Sequence, residues 1–205
     1  MTLISIIIGK KGINMDTTYL LSSTHYIFKY FHFQKKPLKE MCNFIARNTF
    51  YQFDDNKLEY CYYKKFYFLT IIKNNICICG ILDSDDYPIN SLNRLLLQLL
   101  NDYIKMYSIS IKHVYKDFTL EYPDLFEKIV SFQEPEKIDK ILAINNAIDE
   151  TKVIMLKNIE KVLARGHDID ELVKKSHDLS ISSKKFYKQA KKMNRCCFFL
   201  NNFII

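Results

Sequence analysis

Tryptophan is missing from this chain of 205 residues, and glycine and proline occur four times each. With glycine so scarce there is no Gly-rich loop to cradle a phosphate, and neither a nucleophile elbow nor a paired-carboxylate motif is present. No stretch reaches the ~20 apolar residues that cross a bilayer as a helix. The apolar start Met1-Thr2-Leu3-Ile4-Ser5-Ile6-Ile7-Ile8 lacks a basic leader. It reads as a first strand rather than a secretory signal, and Gly9-Lys10-Lys11-Gly12 reads as the hairpin turn that stops it. Six cysteines without such a signal imply a reduced, cytosolic protein. Acids are missing from the C-terminal end: none follows Asp178, whereas Lys184, Lys185, Lys188, Lys191, Lys192 and Arg195 do, so the net charge of +7 is unevenly placed.

Isoleucine, lysine, asparagine, phenylalanine and tyrosine are abundant, a bias of coding composition more than of function. The first two thirds of the chain read as α+β. Runs rich in β-branched and aromatic residues predict strands near Leu3–Ile8, Tyr19–Tyr26, Leu58–Tyr63, Phe66–Lys73 and Ile76–Leu82. Pro37 opens a predicted helix to about Asn48, with Leu38, Met41, Cys42 and Ile45 on one face. Asp83-Ser84-Asp85-Asp86-Tyr87-Pro88 reads as a turn and helix start, followed by a stripe of Leu92, Leu95, Leu96, Leu99, Leu100 and Tyr103. A last helix is expected from Pro123 to Phe132, and Gln133-Glu134-Pro135-Glu136-Lys137 breaks it as a linker. This order and spacing support an antiparallel sheet covered by helices on both faces.

Catalytic and metal chemistry find no footing. Cys77 and Cys79 share one face of a strand, but a structural zinc needs four close ligands, and Cys42 and Cys61 would join only by accident of folding. His167 and Asp168 are helical neighbours pointing about 100° apart, which rules out a base held by its orienting carboxylate. No metal, cofactor, nucleic acid or small-molecule substrate is expected, and no enzyme.

The strongest pattern lies downstream. Steps of three and four residues link Ile141, Ile144, Ile148, Thr151, Met155, Asn158, Val162, Arg165, Ile169, Leu172, Ser176, Leu179, Ser183, Phe186, Ala190 and Met193. A mean period of about 3.5 residues puts them on one seam of an underwound helix that supercoils with partners. Arg165 sits at the centre of this seam, and a buried guanidinium is costly unless partners receive its donors. An arginine that only sets the register of a homodimer is the simpler alternative. Thr151, Asn158, Ser176, Ser183 and Ala190 bury little, and Gly166 costs about 1 kcal/mol of helix propensity, so the segment alone is a marginal helix that folds on binding.

Asp149-Glu150-Thr151-Lys152, Ile159-Glu160-Lys161-Val162-Leu163-Ala164-Arg165-Gly166, Asp170-Glu171-Leu172-Val173 and Ser183-Lys184-Lys185-Phe186-Tyr187 resemble an R-SNARE motif. With Cys196-Cys197 behind it, the motif is most similar to that of the lipid-anchored longin R-SNAREs. The resemblance implies a profilin-like longin domain at 1–132 (a five-stranded antiparallel sheet between helices), a linker at 133–140, a coiled-coil SNARE helix at 141–195 and a lipid-anchor tail at 196–205. It also implies vesicle membrane fusion through a parallel four-helix bundle, with Arg165 as the ionic zero layer facing glutamines from three Q-SNARE helices. The protein would attach peripherally to the cytosolic face of Golgi, vesicle or endosomal membranes through its lipids and the basic run. Lysines beside such an anchor attract anionic lipid at about 1 kcal/mol each.

The family prenylates the second cysteine of a terminal box and palmitoylates the first. Here Cys197-Phe198-Phe199-Leu200 would be such a box only if the chain stopped at Leu200, and Asn201-Asn202-Phe203-Ile204-Ile205 follow. Palmitoylation has no such positional demand. The resemblance further places Phe44 where the family carries an exposed phenylalanine that receives its own SNARE segment in an autoinhibited state; ordinary core is the alternative. Two other functions stay open: a regulatory longin protein that caps or inhibits SNARE assembly, and an acyl-handling enzyme acting on its own cysteines.

Overall fold

Strand β1 (Leu3–Lys11) and strand β5 (Ile76–Leu82) are apolar at nearly every position because both of their faces are covered. They lie side by side in the interior of the sheet in a computed structural model that describes residues 2–12, 17–63, 66–134, 156–159 and 169–193, of which 169 and 190–193 in backbone only. β2 (Thr18–His25) pairs outside β1, while β4 (Phe66–Lys73) and then β3 (Leu58–Tyr63) extend the sheet beyond β5, every pair antiparallel. The β4–β5 hairpin turns on Asn74 and Asn75, both at positive φ (52° and 62°), the primed geometry that matches strand twist.

The sheet then gains a strand that the sequence did not announce. β6 (Leu156–Asn158) pairs parallel to β3, giving a six-stranded mixed sheet in the order β2-β1-β5-β4-β3-β6 instead of five antiparallel strands. The hydrophobic period of that stretch is helical, and only the free edge of β3 draws it into a ladder.

Helix α1 (His32–Gln52) covers one face. It begins before the expected Pro37, because Gln34 Oε1 accepts from the Phe31 N–H at 3.1 Å and the carbonyl that Pro37 leaves unbonded lies near the exposed start of the helix. Helix α2 (Ile89–Tyr107) covers the other face, its stripe of Leu92, Leu95, Leu96, Leu99, Leu100 and Tyr103 fully buried. Pro88 caps α2 rather than entering it, its carbonyl receiving the Ser91 and Leu92 N–H groups. α2 approaches the sheet over Gly80, where a Cβ would meet Leu92 Cδ1 at 3.0 Å.

A 3-10 turn (Ser110–His113) and α3 (Leu125–Ser131) complete that layer, and Gln133 ties α3 to the sheet through the Leu3 carbonyl at 2.9 Å. β1 does not stop at Gly9. It runs on to Lys11 through an irregularity at Ile8/Gly9, and glycine is required there because a Cβ would strike Phe50 Cε2 at 2.7 Å and the Tyr19 carbonyl at 2.8 Å. Among the described residues, no helix is long and apolar enough to cross a membrane.

Candidate functional site

Downstream of β6 the described chain forms α4 (Ile169–Lys175), a short break, and α5 (Ile181–Met193). The described residues from Leu156 to Met193 therefore do not form one continuous heptad helix. Ser176 donates its backbone N–H to the Leu172 carbonyl at 2.9 Å and accepts the Asp178 N–H on Oγ at 3.1 Å, a local side-chain bond that competes with helix and ends α4. α5 then packs on α1.

The α1 face of the sheet is completed by this segment. Ile159, Val173, Leu179 and Tyr187 are buried with Cys42, Phe44, Ile45, Ala46 and Phe50 of α1 and with Cys61, Tyr63, Cys77 and Cys79 of the strands. Phe44, 2% exposed, lines a cleft together with Leu172, Ser176 and Asp178. These four apolar side chains are removed from water at about 1.5–3 kcal/mol each.

Polar contacts fix how the segment sits. Tyr63 and Tyr187 share a hydrogen bond of 2.6 Å, and the Tyr187 hydroxyl donates to Asp170 Oδ1 at 3.0 Å. Burial, with the Tyr63 and Asp170 contacts behind it, pushes the Tyr187 hydroxyl far above its ordinary range, so it stays a neutral donor. Glu40 Oε2 accepts the Ser180 N–H at 2.7 Å as α5 begins. Burial pushes the Glu40 carboxyl up, but hydrogen bonds from Ser180 and Ser183 outweigh it and hold the group below its usual value.

Arg47 of α1 reaches two acids at once. Its Nε donates to Asp178 Oδ2 at 2.7 Å, and its Nη2 to Asp117 Oδ2 at 2.6 Å. Burial opposes the charge on both Arg47 and Asp117, yet the two carboxylates raise the Arg47 pKa, and the Arg47 and Leu20 N–H contacts outweigh burial to bring Asp117 down. Lys157 of β6 pairs with Glu59 of β3 at 2.5 Å.

Of the seam residues, Leu179 and Ser183 are buried and Asn158, Leu172, Ser176 and Phe186 are half-buried. Ile169 opens α4, and Ala190 and Met193 lie in α5. Ile141, Ile144, Ile148, Thr151, Met155, Val162, Arg165, Cys196 and Cys197 lie outside the described residues. Sequence reasoning missed Val173 and Tyr187, each one position past a seam residue, and missed Arg47, whose partners are distant in the chain. Cys42, Cys61, Cys77 and Cys79 are all buried free thiols; burial, abetted by Glu59, pushes Cys61 up to about 12. Among the described residues no group of His, Cys, Asp or Glu is arranged to hold a metal ion.

Comparison with known proteins adds the family context. The family model described as Synaptobrevin matches residues 140–205. The VAMP-like protein YKT61 of Arabidopsis thaliana is 36% identical over 181 residues, which is 88% of this chain and 90% of that protein. The VAMP-like protein YKT62 of the same plant is 37% identical over 173 residues, covering 84% and 85%. The synaptobrevin homolog ykt6 of Schizosaccharomyces pombe is 30% identical over 179 residues, covering 87% and 90%.

Proposed function

The chain belongs to the Ykt6-type longin R-SNAREs, proteins of vesicle trafficking and not enzymes, and we propose that the arrangement described above is its closed state, in which the N-terminal domain occupies SNARE residues until partner helices claim them. The observation that supports this reading is the burial of Leu179 and Ser183 against the α1 face. A side chain committed to that face cannot also form a layer of a four-helix bundle. Closed and assembled states therefore compete, and Q-SNARE helices open the protein by their differential affinity. In the assembled state the seam from Ile141 to Met193 forms the layers with three Q-SNARE helices, and Arg165 sets their register by donating to partner amides.

Phe44 is the receiving side chain on α1. Phe44→Glu replaces a ring of the buried apolar cluster on the α1 face with a charge, so it raises hydrogen exchange across 169–193 and speeds binding to a mixture of Q-SNARE helices while the sheet stays protected. Equal exchange in the variant and the parent would refute the closed-state reading. Arg165→Ala in the same assay leaves exchange in the N-terminal domain unchanged but lowers the stability of the assembled bundle; an equally stable, correctly registered bundle removes Arg165 from the zero layer. Attachment runs through lipid on Cys196 and Cys197 beside the basic run. Replacing both cysteines with serine moves the protein into the soluble fraction of fractionated cells, and retention on membranes assigns attachment to the Phe198–Ile205 tail instead.

A further inference from the structure

The loop between β2 and α1, with the first turn of that helix, exposes phenylalanines that the core does not use. Phe28 and Phe33 are 65% and 67% exposed, and the ring of Phe31 stacks on Phe33 with centroids 5.8 Å apart. Phe28 also meets Phe126 of α3 edge to face at 6.2 Å, and Phe126 is itself 43% exposed. Single exposed apolar residues are ordinary on protein surfaces; clustered aromatic rings are not.

The charge around the rings is of one sign. Between His25 and Lys39 there is no acid, while Lys29, Lys35, Lys36 and Lys39 are all present. Lys35 Nζ lies 5.9 Å from the centre of the Phe28 ring. Lys29 is tied to Asp83 and Lys36 reaches Glu40 at 3.9 Å, so these two are partly neutralised. Among the described residues Lys35 and Lys39 have no carboxylate partner.

From this juxtaposition of exposed Phe28 and Phe33 with Lys35 and Lys39, we propose that the β2–α1 corner is a membrane-contacting surface that takes an anionic bilayer. The rings enter the boundary between headgroups and acyl chains, and the ammonium groups remain among lipid phosphates at the ends of their long stems. Charge complementarity selects the partner: the surface negative potential of an anionic leaflet acts on every lysine of the cluster at once. The assignment does not depend on the closed-state reading, because the corner is built by β2, α1 and α3. A second, weak contact of this kind would turn the N-terminal domain toward the membrane that carries the lipid anchor.

The test is co-sedimentation of the full, unlipidated chain with phosphatidylcholine vesicles, with and without phosphatidylserine, at low and high salt. Phe28→Ser with Phe33→Ser should lower binding to the phosphatidylserine vesicles roughly tenfold at either salt. Lys35→Glu with Lys39→Glu should lower it by a similar factor at low salt and much less at high salt. All variants keep the same C-terminal tail, so its contribution cancels, and an unchanged thermal midpoint checks that each folds. Vesicle binding by the phenylalanine variant equal to that of the parent overturns the proposal and leaves the rings to a protein partner. Equal binding of the parent to both vesicle types, without salt dependence, overturns it as well.

Discussion

The two faces of the sheet are finished by different parts of the chain. On the α2 face, the buried cluster from Leu3 to Phe132 is drawn entirely from the N-terminal domain, with α2 supplying leucine at nearly every inward position. On the α1 face, the cluster is complete only with Ile159, Val173, Leu179 and Tyr187 from the C-terminal segment. The first face is closed almost wholly by apolar packing. The second is set by hydrogen bonds and ion pairs: Tyr63–Tyr187–Asp170, Glu40–Ser180 and Arg47–Asp178. Apolar packing of the first kind gives stability, whereas oriented polar contacts give one particular docked geometry at modest net energy. A domain built this way should keep its fold when the C-terminal part of the α1-side cover leaves.

Cutting into each cover should break the comparison most sharply. Leu96→Ala on the α2 face should cost about 2–5 kcal/mol of global stability, read as a lower denaturant midpoint for the whole domain. Leu179→Ala should cost about 2–3 kcal/mol, but of closure alone. Hydrogen exchange would then rise across 169–193 while protection of β1 and β5 is unchanged; a fall in the protection of those strands would mean that the two covers are one cooperative unit.

Acid should act on the α1 side next. His25 accepts or shares a hydrogen bond with Ser5 Oγ at 2.9 Å, and burial followed by the nearby Lys39 lowers its pKa to about 4. A base with a depressed folded pKa is bound by fewer protons in the folded state. Its stabilising effect is therefore complete above about pH 6.5 and is lost as pH falls toward 4, worth about 1–2 kcal/mol by pH 5. His25→Gln should flatten that slope in a denaturation series; an unchanged slope assigns the acid loss to other groups. Glu40 acts lower still: its depressed carboxyl stabilises above the ordinary carboxylate range and loses this as pH falls through its lowered value. The smallest effect is expected from Arg47→Met. The pair it makes with Asp178 is partly solvated, so about 1 kcal/mol of closure should be lost, and less of it at high salt. An equal loss at high and low salt would point to packing by the arginine stem instead.

Much of this was legible in the chain itself. The alternation in β3 and the apolar runs of β1, β4 and β5 report local burial, and the α2 stripe matches the helical period position by position. Elements set by distant neighbours were not. Gly9 reads as a turn residue because nothing in the sequence says that Phe50 will lie against it. Leu156-Lys157-Asn158 falls within a stretch of helical period, and strand pairing with β3 leaves no trace in that pattern. Val173 and Tyr187 fall one position past seam residues, so a heptad count along the sequence passes over two of the side chains that the α1 face buries. Arg47 and Asp178 are separated by 131 positions, and only the fold brings them together.

The short parallel strand has one more consequence. β6 is what lies along β3, whose N–H and C=O groups from Tyr60 to Tyr62 would otherwise face outward as a bare sheet edge. Such an edge is a template for strands of other molecules, and natural sheets guard it with covers or charge. Were the segment drawn away, as in the proposed open state, the β3 edge would keep flanking charges such as Glu59 for protection. Opening of that kind would unveil a self-association hazard, and the protein's solubility would be tied to how briefly the edge stays bare.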